Sequence, residues 1–175
     1  MTTTPSACKC PPPSHPPTPP TLPPPSPRTA SHPSVCMLVL DARGMLAASC
    51  TTSGLAFKLP GRVGDSFVVG AGLFVDGDVG AAVCTGVGEV ALRTMAAFLI
   101  VEMMRAGASP QQACEQAVAR MMKDHAAAAD TCQIGVIALS RSGSHGAFAM
   151  RGGFTYAVGT PDGNEMRSSA SAVAP

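Results

Sequence analysis

Proline is concentrated at one end of the chain, and this concentration limits what that end can fold into. Thirteen of the 17 prolines lie in residues 1–33, and this segment contains no acidic residue, no Val and no Phe. It therefore has too little apolar surface to offset the entropy that ordering would cost, which predicts a disordered or polyproline II tail. We expect a folded domain over residues 34–158 and a second disordered tail over residues 159–175.

Charge and apolar patterning exclude several classes of partner. Lys and Arg together number 12 and Asp and Glu 11, so the formal net charge of +1 gives no reason to expect nucleic acid or an anionic membrane as partner. The longest uninterrupted apolar run covers residues 95–101, far fewer than the ~20 residues needed to cross a bilayer. The first residues also lack the charged and apolar pattern of a secretory signal peptide.

The seven cysteines are odd in number and contain no C-x-x-C pair. Most lie within apolar stretches, where cysteine behaves as a small core residue, so we expect free thiols rather than a disulfide framework. Cys8, Cys10 and His15 could together ligate a metal, but the prolines around them supply no scaffold for it. We therefore predict neither a metal site nor a cofactor.

Hydrophobic periodicity after residue 33 separates strands from helices. Apolar runs joined by short polar turns predict β-hairpins, and apolar residues spaced three and four apart predict one long helix over residues 89–105. Ser109, Pro110 and Gln112 form the pattern of a second helix N-terminus, with Ser109 as N-cap. The predicted strands cover residues 36–40, 45–50, 72–75, 80–84, 132–139 and 146–150, with 154–158 as an added edge strand. This order predicts an α+β fold in which two helices pack on one face of an antiparallel sheet.

Hydroxyl, guanidinium and carboxylate groups cluster in glycine-rich segments between these elements. Arg62 and Asp65 lie three residues apart in a tight loop, and together they could bind the carboxylate and the ammonium of one amino acid. An ordinary ion pair within the loop is the alternative. Thr85 and Gly86 directly precede the long predicted helix, where backbone N–H groups are suited to stabilising an oxyanion.

Four of these segments carry a resemblance to a known family. Residues 50–54 (CTTSG), 61–66 (GRVGDS), 70–76 (GAGLFVD) and 85–89 (TGVGE) resemble, in order and spacing, the glycosylasparaginases of the N-terminal nucleophile hydrolase superfamily. The resemblance covers residues 32–158, the region of the family's small catalytic subunit. It implies half of a layered αββα sandwich. It also implies hydrolysis of the side-chain amide that links N-acetylglucosamine to asparagine.

The resemblance further implies roles for individual residues. In the family, self-cleavage frees a threonine at the head of the small subunit, whose hydroxyl attacks the amide while its α-amine accepts the proton. The implied roles are nucleophile for Ser34, helper hydroxyl for Thr52, substrate carboxylate binding for Arg62, substrate amino-group binding for Asp65, oxyanion stabilisation for Thr85 and Gly86, and a substrate backbone contact for Gly88.

The chain departs from the family pattern at the cleavage point. Ser34 replaces the threonine nucleophile, and Pro33 precedes it where the family has an aspartate that assists self-cleavage. A primary hydroxyl can perform the same attack, but proline has neither a charge nor a backbone N–H. Two alternatives therefore stay open: an inactive, truncated relative that acts as a partner subunit or is a partial gene product, and an isoaspartyl peptidase or L-asparaginase of the same superfamily.

The proline-rich segment stands where the family has its large subunit, which bears on partners and location. We expect a half-domain of ~125 residues with open strand edges and an exposed apolar face. Such a chain is expected to be poorly stable alone, or to dock with a separate large-subunit-like chain or in a homo-oligomer. The expected ligand is a glycoasparagine or another asparagine-type small molecule. The resemblance implies a lysosomal or secreted location.

Overall fold

The computed structural model describes residues 34–125 and 132–174. The predicted tail over residues 1–33, with the metal-ligand candidates Cys8, Cys10 and His15, lies outside the described residues. The described part is an α+β fold of three helices and nine strands, so the predicted class is confirmed at this level. None of the described helices is long and apolar enough to cross a membrane.

The elements begin with a hairpin, as the sequence predicts. The Asp41 carboxylate accepts hydrogen bonds from the backbone N–H groups of Arg43 and Met45 and so closes the turn between its two strands. In chain order the elements are β1 (Ser34–Leu40), β2 (Leu46–Thr52), β3 (Leu73–Asp76), β4 (Gly80–Gly86), α1 (Gly88–Thr94), α2 (Ala96–Arg105), α3 (Pro110–Asp124), β5 (Ile134–Ser140), β6 (His145–Arg151), β7 (Thr155–Thr160), β8 (Gly163–Ser168) and β9 (Ala170–Val173).

The main sheet contains five strands in the order β3-β4-β5-β6-β9. Its first three pairings are antiparallel, whereas β9 runs parallel to β6. The predicted purely antiparallel sheet is therefore wrong at one edge. The chain leaves β6, forms the separate hairpin β7–β8, and returns in the direction of β6, which makes the last pairing parallel.

The helices pack on one face of this sheet and build the core. Ile100 from α2, Val118 and Met121 from α3, and Ile134 and Val136 from β5 are all fully buried in one cluster. The N-terminus of α3 has the predicted capping box, in which the Ser109 hydroxyl accepts the N–H of the third helical residue. Two predicted helices become three elements, because the first one is interrupted.

Met95 interrupts the helix that the sequence predicts over residues 89–105. It has φ 48° and ψ 55°, the left-handed conformation, so α1 ends before it and α2 begins after it. The first N–H groups of α2 donate outside the helix, from Ala97 to the Ala71 carbonyl and from Phe98 to the Gly70 carbonyl. These tertiary hydrogen bonds fix the break, which apolar periodicity alone could not reveal.

The C-terminal segment also differs from expectation. Residues 159–173 were expected to be disordered, but β8 and β9 occupy most of them, so that prediction is wrong there. The segment is polar, and its order comes from backbone pairing with β7 and β6 rather than from burial. The predicted edge strand near residues 154–158 is β7, which pairs with β8 and not with the main sheet.

The β1–β2 hairpin lies against the sheet strands β3, β4 and β5. Between β1 and the β7–β8 hairpin runs an open groove of about 930 Å³, with side chains of β4 and β5 such as Val83 and Ile137 on its floor. We call this feature the β1–β7 groove. Neither β1 nor β7 has a second strand partner in the described part of the chain.

Candidate active site

Two hydroxyls meet at the open end of the first hairpin. Ser34 and Thr52 lie directly opposite each other in the β1–β2 register, and their side chains share the inner face of the hairpin. The Ser34 Oγ donates to the Thr52 Oγ1 at 3.1 Å. The Thr52 Oγ1 also accepts the backbone N–H of Gly54 at 2.9 Å, which fixes its orientation. The hairpin thus presents an oriented pair of hydroxyls.

Arg62 forms its ion pair with Glu89 and not with Asp65. The guanidinium donates from Nε to Glu89 Oε1 at 2.8 Å and from Nη2 to Oε2 at 2.9 Å, a bidentate contact between the loop and α1. This hydrogen-bonded contact lowers the pKa of Glu89 and raises that of Arg62. The ordinary loop ion pair between Arg62 and Asp65 is absent from the ion pairs of the described residues.

Asp65 is a buried carboxylate with an unsatisfied oxygen. The residue is 5% exposed. Its Oδ2 has no hydrogen-bond partner within the described structure. Burial raises the pKa of Asp65, and the positive charge of Arg62 only partly offsets this effect. A buried, unpaired carboxylate oxygen is costly, so this atom is suited to receive a cationic hydrogen-bond donor.

Two glycines bring the backbone of β4 and α1 close to these groups. A Cβ at Gly86, where φ is +124°, would lie 2.0 Å from the Gln133 carbonyl oxygen. A Cβ at Gly88 would lie 2.8 Å from Asp65 Oδ1 and 3.1 Å from Arg62 Nη2. Only glycine leaves room for this approach, so the backbone at residues 86–88 borders the same space as the two charged side chains.

One small cavity of about 70 Å³ joins most of the predicted site residues. Its lining includes Ser34, Thr52, Arg62, Asp65 and Gly86. Thr85 lies outside this lining and faces the β1–β7 groove, whose lining also includes Ser34. Ser34 therefore stands at the junction of the cavity and the groove. No cluster of three or more His, Cys, Asp or Glu side chains suited to a metal ion occurs in residues 34–125 and 132–174.

Sequence reasoning missed Glu89 as the partner of Arg62. The two residues are 27 positions apart, and neither periodicity nor spacing signals a contact across that distance. Lys58, which also lines the cavity, was likewise not singled out. A Cβ on Gly54 would lie 2.7 Å from the Lys58 Nζ, so the turn after β2 packs against this ammonium group.

The sequence is similar to proteins named as asparaginases and glycosylasparaginases. A family profile described as Asparaginase matches residues 13–166. The N(4)-(beta-N-acetylglucosaminyl)-L-asparaginase of Elizabethkingia miricola is 45% identical over 141 residues, which are 79% of this chain and 42% of that protein. A putative N(4)-(beta-N-acetylglucosaminyl)-L-asparaginase of Drosophila melanogaster is 37% identical over 134 residues, 76% of this chain and 33% of that protein. A probable isoaspartyl peptidase/L-asparaginase 3 of Arabidopsis thaliana is 33% identical over 140 residues, 78% and 37% respectively.

The chain thus spans less than half the length of these relatives. The family profile, in contrast, matches most of the chain. Both findings agree with the predicted resemblance to glycosylasparaginases, which is confirmed. The chain belongs to the asparaginase family.

Proposed function

We propose that this chain is the catalytic half of an amidohydrolase that cleaves the side-chain amide of N-acetylglucosaminyl-asparagine. The Elizabethkingia miricola relative, which is 45% identical over 141 residues, carries this activity in its name. Because the chain spans 42% of that relative, the activity is proposed for the chain together with its complementing half. The proposed hydrolysis uses side-chain and backbone groups of the protein, the α-amine of Ser34 and water.

Ser34 is the proposed nucleophile. Its hydroxyl attacks the side-chain carbonyl carbon of the substrate, and its own α-amine, once freed, takes the proton. An α-amine titrates near ~7.7–8.0 and can accept a proton at neutral pH, whereas the amide nitrogen of an uncut chain cannot. The 3.1 Å contact with Thr52 supports this role, since a second hydroxyl at hydrogen-bond distance orients the attacking oxygen.

The unsatisfied Asp65 oxygen is the observation that carries the proposal. The substrate of an asparagine-type amidohydrolase has an α-ammonium and an α-carboxylate, and Asp65 offers a buried acceptor for the ammonium. Arg62, oriented by Glu89, offers the remaining N–H groups of its guanidinium to the carboxylate. The two charged groups therefore hold the substrate by its amino-acid end and direct its side-chain amide towards Ser34.

Thr85 and Gly86 are proposed to stabilise the oxyanion that forms during attack, and Gly88 to contact the substrate backbone. The C–N bond then breaks, the leaving amine takes the proton, and water hydrolyses the ester on Ser34. Gly86 lines the same cavity as Ser34, while Thr85 and Ser34 both face the β1–β7 groove. This placement supports the assignment of both residues to one reaction centre.

The proposed complementing half covers the open surfaces of the chain. Val35, Met37 and Val39 project from the outer face of β1 and are 67%, 57% and 41% exposed. The β1–β7 groove separates two strand edges that have no partner among the described residues, and added strands would join these edges into a second sheet. Together these surfaces support one half of an αββα sandwich, completed by a large-subunit-like chain. A homo-oligomer is the alternative, and a lysosomal or secreted location is proposed from the resemblance alone.

A related substrate is the second candidate. The probable isoaspartyl peptidase/L-asparaginase relative is 33% identical. Arg62 and Asp65 would hold the amino-acid end of an isoaspartyl peptide or of free asparagine in the same way. The departure at Pro33 favours a third candidate, an inactive relative that serves as a binding subunit, because proline cannot assist cleavage as the family's aspartate does.

The test is hydrolysis by the full chain combined with its complementing half. N-Acetylglucosaminyl-asparagine, an isoaspartyl dipeptide and asparagine are compared as substrates, and the first is expected to be cleaved fastest. Ser34→Ala is expected to abolish turnover, whereas Ser34→Thr retains it. Ser49→Ala is the matched control, because Ser49 lies on the exposed face of the same hairpin. Turnover that survives in the Ser34→Ala variant contradicts the proposed nucleophile, and a wild-type chain that cleaves none of the three substrates supports the inactive relative.

A further inference from the structure

Two cysteines lie next to the hydroxyl pair on the inner face of the first hairpin. Cys36 and Cys50 are directly opposite in the β1–β2 register, two residues along from Ser34 and Thr52. The Sγ atoms of the two free thiols are 2.7 Å apart. No step of the proposed hydrolysis uses either thiol.

The backbone places these cysteines at a spacing that a disulfide accepts. The Asp41 N–H donates to the Met45 carbonyl, so Asp41 and Met45 are a hydrogen-bonded pair of the antiparallel ladder. Hydrogen-bonded and non-hydrogen-bonded pairs alternate along such a ladder, and Cys36 and Cys50 therefore form a non-hydrogen-bonded pair. In such pairs the Cα atoms are ~4.5 Å apart and the side chains approach closely, within the Cα range of ~4.4–6.8 Å found for disulfides. Little backbone movement is therefore required to join the two sulfurs.

The surroundings of the pair make one thiol the better nucleophile. The hydrogen bond from Cys36 lowers the pKa of Cys50 to about 7, and a hydrogen bond from Ser66 acts in the same direction. The pKa of Cys36 is raised, first by that same hydrogen bond and then by burial. Asp65 opposes ionisation of both thiols through its charge. Both residues remain partly exposed.

We propose that Cys36 and Cys50 form a reversible disulfide that locks the two strands of the hairpin beside Ser34 and Thr52. The oxidant is a small-molecule disulfide of the glutathione type. The Cys50 thiolate attacks one sulfur of oxidised glutathione and releases one glutathione thiolate. The Cys36 thiol then loses its proton and displaces the second glutathione, which leaves the Cys36–Cys50 bond and two reduced glutathione molecules. Two protein thiols are oxidised and one glutathione disulfide is reduced.

The bond acts on the same hairpin that carries the proposed nucleophile. A cross-link two residues from Ser34 and Thr52 holds these residues opposite each other. This matters most while the second edge of β1 has no strand neighbour, as in the part of the chain that the structure describes. This consequence for catalysis rests on the proposed function, whereas formation of the bond does not. The two claims therefore fail independently.

Trypsin gives a direct test, because Cys36, Cys50 and the neighbouring Cys84 fall on three different peptides. Cys36 lies on residues 29–43, Cys50 on 44–58 and Cys84 on 63–93. The full chain is equilibrated in glutathione redox buffers, quenched with an alkylating agent and digested without reductant. We expect the 29–43 and 44–58 peptides joined by a disulfide. Because folding and the cross-link stabilise each other, the equilibrium constant is expected to be about 10- to 100-fold larger for the folded chain than in concentrated urea.

Matched variants separate this bond from unspecific oxidation. Cys50→Ser removes the linked peptide pair, whereas Cys132→Ser leaves it unchanged. Equal equilibrium constants in buffer and in urea overturn the proposal. A disulfide between the Cys36 peptide and the Cys84 peptide also overturns it. Cys84 is the competitor to check because the Cys36 Sγ lies 3.8 Å from the Cys84 carbonyl oxygen.

Discussion

Replacing Asp65 by Asn is expected to stabilise the free chain at neutral pH while removing its affinity for an amino-acid ligand. Asp65 is 5% exposed. Its Oδ2 has no hydrogen-bond partner among residues 34–125 and 132–174. An unpaired buried polar group costs about 1–3 kcal/mol, and a charged one costs more. The amide of Asn keeps one acceptor oxygen and removes the charge, so we expect a gain of about 1–2 kcal/mol.

The pH dependence follows from the direction in which the pKa moves. Burial raises the pKa of Asp65 above its ordinary value of 3.8, so the folded state binds the proton more tightly than the unfolded state does. The ionised carboxylate destabilises the folded state. This destabilisation is absent when the pH is below the ordinary pKa of 3.8, and it is fully present when the pH is above the raised pKa of the folded state. The advantage of the Asn variant is therefore greatest at pH 7 and shrinks as the pH falls towards 3.8.

The assay is urea or thermal unfolding of both proteins at pH 7 and near pH 4. For a folded part of about 140 residues the expected gain raises Tm by about 2–8 °C at pH 7. Asp162→Asn is the control, since it removes the same charge from an exposed turn position. L-Aspartate at 100 times its Kd is expected to stabilise the wild-type chain by about 2.7 kcal/mol and the Asp65→Asn variant much less. An Asn variant that is no more stable at pH 7, or whose advantage does not depend on pH, refutes the reasoning.

Four further substitutions test the proposed site, the packing of β4 and the cap of α3. Arg62→Ala is expected mainly to raise KM, whereas Thr85→Val is expected to lower kcat by about 10²–10³-fold. Steady-state kinetics separates the two effects, and equal, trivial effects would mean that neither residue belongs to the active site. Gly86→Ala is expected to prevent stable folding of β4 against β5, because the new Cβ would overlap the Gln133 carbonyl oxygen. Gly77→Ala is the control, since a Cβ there meets nothing within 4 Å and leaves the melting curve unchanged. Equal melting of the two variants would speak against the close approach at Gly86. Ser109→Ala removes the N-cap of α3 and is expected to cost about 1 kcal/mol in urea unfolding; an unchanged midpoint would mean that the cap contributes nothing.

Local signals in the sequence predicted most of the individual elements. Turn residues such as Asp41 and Gly44, and the capping pattern that starts at Ser109, fix structure through contacts within a few residues. Such contacts are readable from spacing alone. The hairpins β1–β2, β3–β4 and β5–β6 and the start of α3 were therefore predicted correctly, whereas the β7–β8 hairpin was not.

The elements that sequence reasoning missed depend on distant partners. The break at Met95 follows from hydrogen bonds between α2 and the carbonyls of Gly70 and Ala71, and β9 is ordered by pairing with β6. The same holds for the site. The motifs identified Arg62 as charged and accessible to a ligand, but its bidentate contact with Glu89 spans 27 residues and is visible only in the fold.

The most direct test of the central claim is mass spectrometry of the N-terminus of the polypeptide that carries hydrolytic activity. The proposed catalysis requires a free α-amine on Ser34, since that amine is the proton acceptor for its own hydroxyl. We therefore expect turnover of N-acetylglucosaminyl-asparagine to rise in proportion to the fraction of chains that begin at Ser34. Full turnover by chains in which the bond between Pro33 and Ser34 is intact would contradict it.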